Sequence, residues 1–467
     1  MVPVIIASDS STDPLRRFVF GDEELADPDW PVDHVPATER KGLVSIAAVL
    51  LGFVFFAGTM WAGAEVGAAM GFMPMVSALA VGSVILGVYV ALLCAIAATA
   101  GLTTVLLARY TFGRWGAKWA DLLLGGTQVG WFGVTIPLVA IPTAQFLGFD
   151  APMVVSGLIV FWGVLHLATA YFGYDGMERL SYVAVPGLVV GLLSVAIAIG
   201  DAGGVPALVS SVGGGEMAFG TAVTVVVGTF VSAGTQAPNW ARFASSKRVG
   251  FWAGLVAFLL GNSFLFLSGA VGGAVYEVTP AGDLYAVMAA QGLAFVGLLA
   301  LVLNIWTTND NAAYAFGVAG SEALDYDRKR PFVLAGGAIG ILLALFGVDS
   351  LLLPWLETLG QYVPPLGGVL IVDFLFVWGL DRIPRMEAVE FTGVRWVAIG
   401  AYVVGCLVAV LTAGSLAPGV GAPQLLPGLT SLNGLLAAAL ALLVGHYALE
   451  RTGVLPTHEI TADADHV

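Results

Sequence analysis

The stretch Val227-Gly228-Thr229-Phe230-Val231-Ser232-Ala233-Gly234-Thr235-Gln236-Ala237-Pro238 opens as an apolar run of membrane grade and then passes into small polar residues, Gly and Pro. Hydrocarbon offers no water to freed N–H and C=O groups, so irregular backbone at that depth is tolerated only where it is buried in protein or lines a cavity. The stretch therefore marks a site. A second copy lies upstream: Gly52-x4-Ala57-Gly58-Thr59 matches Gly228-x4-Ala233-Gly234-Thr235 at a constant offset. Paired broken helices in two halves of a chain point to the binding site of a secondary transporter. A chain with 61 glycines also yields short matches by chance, so the pairing needs support from elsewhere.

Composition decides the class. Of 467 residues, 58% are hydrophobic and only 11% charged, too few charges to coat a soluble globule, and the chain reads as an all-α polytopic membrane protein. Residues 1–42 form a polar, acidic tail without a basic n-region or cleavage site, so no removable signal peptide is expected and the first span serves as the anchor. Cys94 and Cys406 both fall in apolar segments, as small core side chains rather than a disulfide or a metal pair. A net charge of −14 is a poor match for nucleic acid, and no such partner is expected. No feature marks an obligate protein partner. The acidic excess fits a salt-rich cytoplasm or simply acidic tails.

Apolar runs of about 20 residues set spans near 43–71, 76–101, 120–148, 152–172, 181–200, 219–236, 249–276, 292–320, 331–348, 350–378, 396–414 and 432–449, about twelve transmembrane helices. Residues 102–119 have room for a short amphipathic helix. With the N-terminus inside, alternate loops hold Arg16, Arg17, Arg40 and Lys41; Arg109, Arg114 and Lys118; Arg179; Arg242, Lys247 and Arg248; Arg328, Lys329 and Arg330; Arg382, Arg385 and Arg395; and Arg451. These are all 18 basic residues. Because cytoplasmic loops carry the Lys and Arg, both tails, 1–42 and 450–467, are expected in the cytoplasm of a cell-membrane protein. Miscounting a single span would spoil this segregation.

The two broken motifs fall in spans one and six. They divide the transporter domain, 43–449, into repeat one at about 43–200, repeat two at about 219–378 and two extra helices at 396–449. An odd number of spans per repeat inverts the second copy, as alternating access about a midplane site requires. A channel would need a filter-like run of carbonyl donors or a ring of acidic side chains. An integral-membrane enzyme would need a constellation such as His-Glu-x-x-His or Gly-x-Ser-x-Gly. The sequence contains neither, and Gly213-Gly214-Gly215 has no P-loop Lys after it.

Three stretches carry a family likeness: Gly125-Gly126-Thr127-Gln128-Val129-Gly130-Trp131-Phe132-Gly133, Phe230-x-Ser232-Ala233-Gly234-Thr235 and Asn304-Ile305-Trp306-Thr307-Thr308-Asn309-Asp310-Asn311. Together they resemble the nucleobase:cation symporter-1 family, most closely its bacterial members that carry cytosine. Leu106-Leu107-Ala108-Arg109-Tyr110, Gly261-Asn262-Ser263 and Pro364-Pro365-x-Gly367-Gly368 extend the likeness from about Pro36 to the end of span twelve. The resemblance implies a five-plus-five inverted-repeat, LeuT-like fold with broken helices one and six, and sodium-coupled import of cytosine or a closely related nucleobase. Trp131 and Phe230 would sandwich the base, with Gln128, Ser232 or its neighbouring backbone, and Asn309 on its edge. The residue chemistry suits this. Gln128 and Trp131, three apart, share a helix face, and a flat heterocycle needs a ring to lie on and amide-like groups to read its edge.

The sodium ligands implied by the same resemblance are the backbone carbonyls of Gly52, Phe56 and Asn304 with the hydroxyls of Thr307 and Thr308. Sodium is the coupling ion here, not a tightly bound cofactor. Adjacent threonines in a helix also back-bond to the preceding turn with no ion present.

Two positions depart from the family pattern. Asn239 stands where relatives commonly carry Asp, which removes a carboxylate that could pair with Arg242. Glu65 lies in the outer half of span one, where cytosine carriers have a small or hydroxyl residue. An intramembrane carboxylate is functional by default. Glu65 either serves coupling or selectivity, in which case a proton could drive another planar heterocycle (a purine, uracil, hydantoin or allantoin), or it stays hydrated in an outer vestibule. Asp310 and Asp373 are expected to cap or brace broken backbone, and His166 and His446 to be hydrogen-bonded core or interface residues.

Overall fold

The computed structural model describes residues 30, 32–149, 151–184, 187–210, 217–276, 284–326, 328–417, 419–452 and 459–460. Most of both tails and the glycine run at 213–215 lie outside the described residues. Span one consists of two half-helices, Leu43–Val54 and Ala57–Met70, meeting at 55°, and span six repeats the device with Phe219–Gly228 and Val231–Ala241 at 52°. Spans two to five are Phe72–Ala100, Arg114–Phe146, Pro152–Phe172, and Tyr174–Ala184 with Gly187–Asp201. Spans seven to twelve are Lys247–Tyr276, Ala294–Ala323, Arg330–Leu345, Leu352–Val372 continued by Asp373–Trp378, Trp396–Ala413 and Thr430–Thr452. Among the described residues eight helices and the two bent pairs are each long and apolar enough to cross a membrane; the polar Ala294–Ala323 and the shorter Arg330–Leu345 fill the remaining two places in the expected order of twelve.

Their burial follows their chemistry. Span eight carries the polar run 304–311, and every residue of that run except the half-buried Trp306 is buried. Polar side chains survive at membrane depth only when protein encloses them, so the most polar span is a central one. Spans four, five and twelve instead turn Val160, Phe161, Val164, Leu192, Leu193, Leu440 and Val444 outward, an apolar surface suited to lipid.

Two boundaries differ from the hydropathy reading, and the short connector helix it allowed for is present. Span three begins at Arg114, six residues before the apolar run, because an amphipathic helix end needs no apolar residue on every face. The connector before it is a helix, Thr104–Phe112, whose N-terminus is capped by Thr103 accepting from the Leu106 N–H at 3.2 Å. The second broken segment also loses less helix than its composition suggests. Its backbone leaves the helix at Thr229 and Phe230 and again in a turn at Gln236 and Ala237, with Val231–Thr235 and Pro238–Ala241 helical. Proline at the first position of a turn gives up an N–H that would have had no partner.

Among the described residues, basic side chains gather at one end of the bundle. Arg40 donates to the carbonyls of Ala98 at 2.7 Å and Ala244 at 3.1 Å, Lys41 pairs with Glu178 at 3.3 Å, and Lys247 pairs with Asp381. Asp373 opens the π-helical turn that ends span ten and forms a buried pair with Arg395 at 2.6 Å while accepting from Thr111 at 2.9 Å. It locks the loop before span eleven to the connector helix.

At mid-depth the second half of span one packs on span seven with no room for side chains between them. A Cβ added to Gly63 would lie 1.9 Å from the Phe266 carbonyl oxygen, and one on Gly269 would lie 1.7 Å from that of Met60. Small residues of this kind let membrane helices approach closely. Gly269→Leu is therefore expected to lower the thermal midpoint of the detergent-solubilised protein by a cost of about 1–3 kcal/mol, read by size-exclusion after heating. Gly126→Ala, where nothing lies within 4 Å, is expected to leave it unchanged or raised.

Candidate functional site

The break in span one leaves Phe55 and Phe56 in non-helical backbone. Span eight takes up the freed groups. The Ala57 N–H donates to Asn304 Oδ1 at 2.7 Å, and the Thr308 hydroxyl lies 3.3 Å from the carbonyl oxygens of both Phe53 and Phe55 and 3.1 Å from that of Asn304. Thr307 back-bonds to Leu303 and Asn304 at 3.1 and 3.0 Å. Of the five expected oxygen donors, the Asn304 carbonyl and the Thr307 and Thr308 hydroxyls lie together on one turn of span eight, and of these Thr308 is the one bonded to carbonyls of span one. The Phe56 carbonyl accepts from the Thr59 N–H at 3.1 Å. Gly52 lies against span five, where a Cβ would fall 2.6 Å from Ser181 Oγ. That hydroxyl is buried and has no hydrogen-bond partner among the described residues, and sequence reasoning passed over it. The donor set is neutral oxygen throughout, as a hard monovalent cation takes from broken transporter helices.

One side chain ties the two breaks together. Asn262, just after the π-helical turn Val256–Gly261 of span seven, accepts from the Thr59 hydroxyl at 3.3 Å and donates to Thr229 Oγ1 at 3.1 Å. It is fully buried.

Between the breaks lies an aromatic cluster. The Phe56 ring meets Trp131 at 5.4 Å and Phe230 at 5.7 Å, edge-on to both at 90° and 89°, the geometry that aromatic quadrupoles prefer. Phe53 and Phe258 close on Phe230 at 5.7 and 5.8 Å. Phe56 enters this position by folding over Gly58, where a Cβ would stand 2.2 Å from its ring. The sequence singled out Phe56 for its carbonyl; the structure adds its ring, between the two aromatics expected to flank a base. Trp131 donates through Nε1 to Ser232 Oγ at 3.0 Å, joining span three to the second half of span six.

Gln128 lies one turn from Trp131 and is 1% exposed, yet neither its Oε1 nor its Nε2 has a partner among the described residues. Asn309, also buried, is held on both sides. Its Oδ1 accepts from Thr135, and its Nδ2 lies 2.9 Å from His166 Nδ1. Since the oxygen is taken by a hydroxyl donor, Nδ2 donates and His166 accepts. Trp162 and Trp306 flank the imidazole, each at 5.8 Å. His166 is a core residue as expected, and it also orients Asn309, a role with no signal in the sequence.

The two positions that depart from the family pattern each make a hydrogen bond to a neighbouring element or turn. Glu65 Oε1 accepts from Trp61 Nε1 at 3.1 Å, one turn away. Asn239 Oδ1 accepts from the Thr104 N–H at 3.0 Å, so a neutral acceptor serves there. Arg242 meets the backbone oxygens of Asn239 at 3.1 Å and Trp30 at 2.5 Å and the Tyr314 hydroxyl at 3.0 Å. Asp310 accepts from Asn311 Nδ2 at 3.0 Å, and the same amide reaches the Thr307 carbonyl at 2.6 Å, bracing span eight beside the converging threonines.

Residues 34–436 match a family described as permeases for cytosine/purines, uracil, thiamine and allantoin. The chain belongs to this permease family. The permease is 37% identical over 426 residues to the cytosine permease of Escherichia coli strain K12, covering 91% of this chain and 96% of that relative. Among solved structures it is similar to Mhp1, a nucleobase-cation-symport-1 family transporter in a closed conformation with bromovinylhydantoin bound, at a TM-score of 0.75 and 18% identity over 93% of this chain and 97% of the other. It is also similar to a Na+-coupled sialic acid symporter in an outward-open state, at a TM-score of 0.63 and 12% identity over 97% and 96%. These likenesses show the fold, the inverted-repeat arrangement with spans one and six broken. The protein is a nucleobase permease of this family, a transporter and not an enzyme.

Asn262 generates a prediction independent of substrate. Asn262→Leu leaves the Thr59 and Thr229 hydroxyls without their shared partner, and each unpaired buried group costs about 1–3 kcal/mol. The thermal midpoint is expected to fall accordingly, while Asn262→Asp, which keeps an acceptor for Thr59, is expected to fall less.

Proposed function

We propose that the permease imports cytosine or a closely related nucleobase together with sodium by alternating access. The observation that carries this reading is Gln128, a buried amide with both donor and acceptor open, one turn from an indole whose N–H is already satisfied by Ser232. An amide pairs in both directions with the amino, ring-nitrogen and carbonyl groups on a pyrimidine edge, and Trp131 and Phe230 supply π faces. The family match and the cytosine permease relative support the base; the neutral oxygens around Thr308 and the Na+-coupled structural neighbour support the ion.

Sodium enters as a co-substrate. With a cation held by Thr307, Thr308 and Asn304 against the carbonyls of span one, the break would be clamped to span eight. Phe56, within that break, would then be fixed against Trp131 and Phe230, which links ion binding to the aromatic pocket. Span eight presents Thr308 to the ion and Asn309 to the base one residue later, with His166 and Thr135 fixing the amide. One charge moving down 100 mV supplies about 2.3 kcal/mol, enough for roughly 50-fold accumulation. The repeats, about 43–200 and 219–378, would rock against each other, with the basic end and both termini in the cytoplasm and the bundle in the cell membrane. Glu65, bonded within its own helix to Trp61, takes no part in coupling.

Uptake of radiolabelled cytosine into proteoliposomes tests this, with sodium and proton gradients imposed separately and unlabelled uracil, purines, hydantoin and allantoin as competitors. A sodium gradient alone is expected to drive uptake, and cytosine is expected to compete best. Trp131→Ala is expected to weaken cytosine binding roughly ten- to a hundred-fold, given about 1–3 kcal/mol per stacked base. Thr308→Val is expected to raise the sodium concentration for half-maximal uptake about tenfold. Uptake driven by protons alone and lost in Glu65→Gln would overturn the sodium reading, and a competitor that outperforms cytosine would overturn the base.

A further inference from the structure

Two turns from Gln128 toward the basic end, span three carries Asp121. Seven residues at 1.5 Å each put it about 10 Å along the same helix face. Opposite it stands Glu322, in the last turn of span eight. Asp121 is 2% exposed and Glu322 is fully buried. Glu322 Oε1 accepts from Arg109 Nε of the connector helix, but Glu322 Oε2 and both oxygens of Asp121 have no donor among the described residues. A Cβ added to Gly125, one turn along from Asp121, would lie 2.9 Å from Ala319 Cβ, and Lys118 on the other side reaches the Ala323 carbonyl at 2.6 Å, so the packing of spans three and eight sets the two carboxyls at the same level.

Ionised carboxylates only accept hydrogen bonds, and two negative charges brought together out of water repel strongly. Arg109 does not balance both, because its Nη2 is given to Asp325 at 2.6 Å. Partial desolvation pushes the Asp325 carboxyl upward, but Arg109, Lys118 and Arg114 together hold it below its ordinary range, so it stays ionised and keeps its share of their charge. Lys118 donates to the Ala323 carbonyl at 2.6 Å and lies 3.5 Å from Asp325, as does Arg114. From span nine, the Lys329 ammonium lies over the Tyr314 ring and the Arg330 guanidinium over that of Tyr171. Span six contributes a neutral amide, Gln236, bonded to the Leu124 carbonyl at 3.1 Å. The partner that Asp121 lacks is a hydrogen.

We propose that Asp121 and Glu322 hold one exchangeable proton between them, a proton-binding site at the basic end of the permease, distinct from the sodium oxygens and the base pocket. Bound, the proton makes one carboxyl a donor to the other and joins span three, which bears Gln128 and Trp131, to span eight, which bears Thr308 and Asn309. Released to water at the basic end, it leaves two facing carboxylates that push these spans apart. Proton occupancy thereby sets how firmly this end is closed.

The test uses the full-length permease in lipid nanodiscs without substrate or sodium, so its outcome is separable from that of the uptake assay. Infrared difference spectra taken across a pH titration report the carbonyl stretch of a protonated, buried carboxylic acid. Wild type is expected to show at neutral pH a band of this kind that is separate from any contributed by the buried Asp310. Asp121→Asn supplies a permanent N–H donor to Glu322, and Glu322→Gln supplies one to Asp121; either substitution is expected to abolish the band. For a cysteine introduced at Ala319, one turn before Glu322, the ratio of its rate with a thiol reagent in the otherwise wild-type chain to that in Asp121→Asn is expected to rise with pH, the thiolate's own pH dependence cancelling between the two. Absence of the band in wild type, or its persistence in both variants, overturns the proposal; should one variant fail to fold, the wild-type spectrum and the other variant decide.

Discussion

A helix interrupted in hydrocarbon releases N–H and C=O groups that water cannot reach, and each left unpaired costs roughly 2–7 kcal/mol. Everything else in this permease is arranged around meeting that cost twice. At the first break the work falls to span eight, where Asn304 takes the Ala57 N–H and Thr308 reaches back to Phe53 and Phe55. At the second break the chain satisfies itself, the Thr229 N–H on the Val225 carbonyl at 3.0 Å and the Phe230 N–H on that of Val227 at 3.3 Å, while Asn262 joins the Thr229 hydroxyl to Thr59 of the first. The side chains that repair the backbone are polar, so the helices that carry them must be enclosed. That is why span eight is central while spans four, five and twelve face outward.

The same repair brings the site into being. Carbonyl oxygens that no longer point along a helix become available to a cation, and residues in extended backbone can present their side chains sideways into the bundle. Phe56 does both: it lies in the gap between half-helices, and its ring reaches Trp131 and Phe230. The oxygens proposed for the ion and the aromatic cluster therefore meet at one break in span one. A transporter needs such a meeting point, because coupling requires that occupancy at one place change the geometry at another.

Charge is handled by distance from that break. The basic residues sit at one end, tied to backbone oxygens or acidic partners such as Glu178, Asp373 and Asp381. Around the breaks the groups proposed to bind are amides, hydroxyls, carbonyls and rings, with Asp310 the buried carboxyl that braces span eight beside them. Asp121 and Glu322 occupy the boundary between these zones, buried like the binding residues yet close to the cations, and this intermediate position makes a proton the partner their chemistry requires.

Length, hydropathy and the placement of 18 basic residues determined the class, the twelve spans and their shared basic end, because membrane thickness and the cost of buried charge act on every residue regardless of its neighbours. The repeated Gly-x4-Ala-Gly-Thr motif located both breaks, and the family likeness named Gln128, Trp131, Phe230, Asn304 and Thr308. What no periodicity encodes is which side chains meet across 100 or 200 residues. The ring of Phe56 between two aromatics, His166 behind Asn309, Asn262 between the breaks, Ser181 against Gly52 and Asp121 facing Glu322 all join helices distant in sequence. Each looked alone like a packed aromatic, a core histidine or a helix-end charge. Their roles arise only when the inverted repeats fold onto one another, because a hydrogen bond or ring contact is a property of a pair, and tertiary packing chooses the pairs.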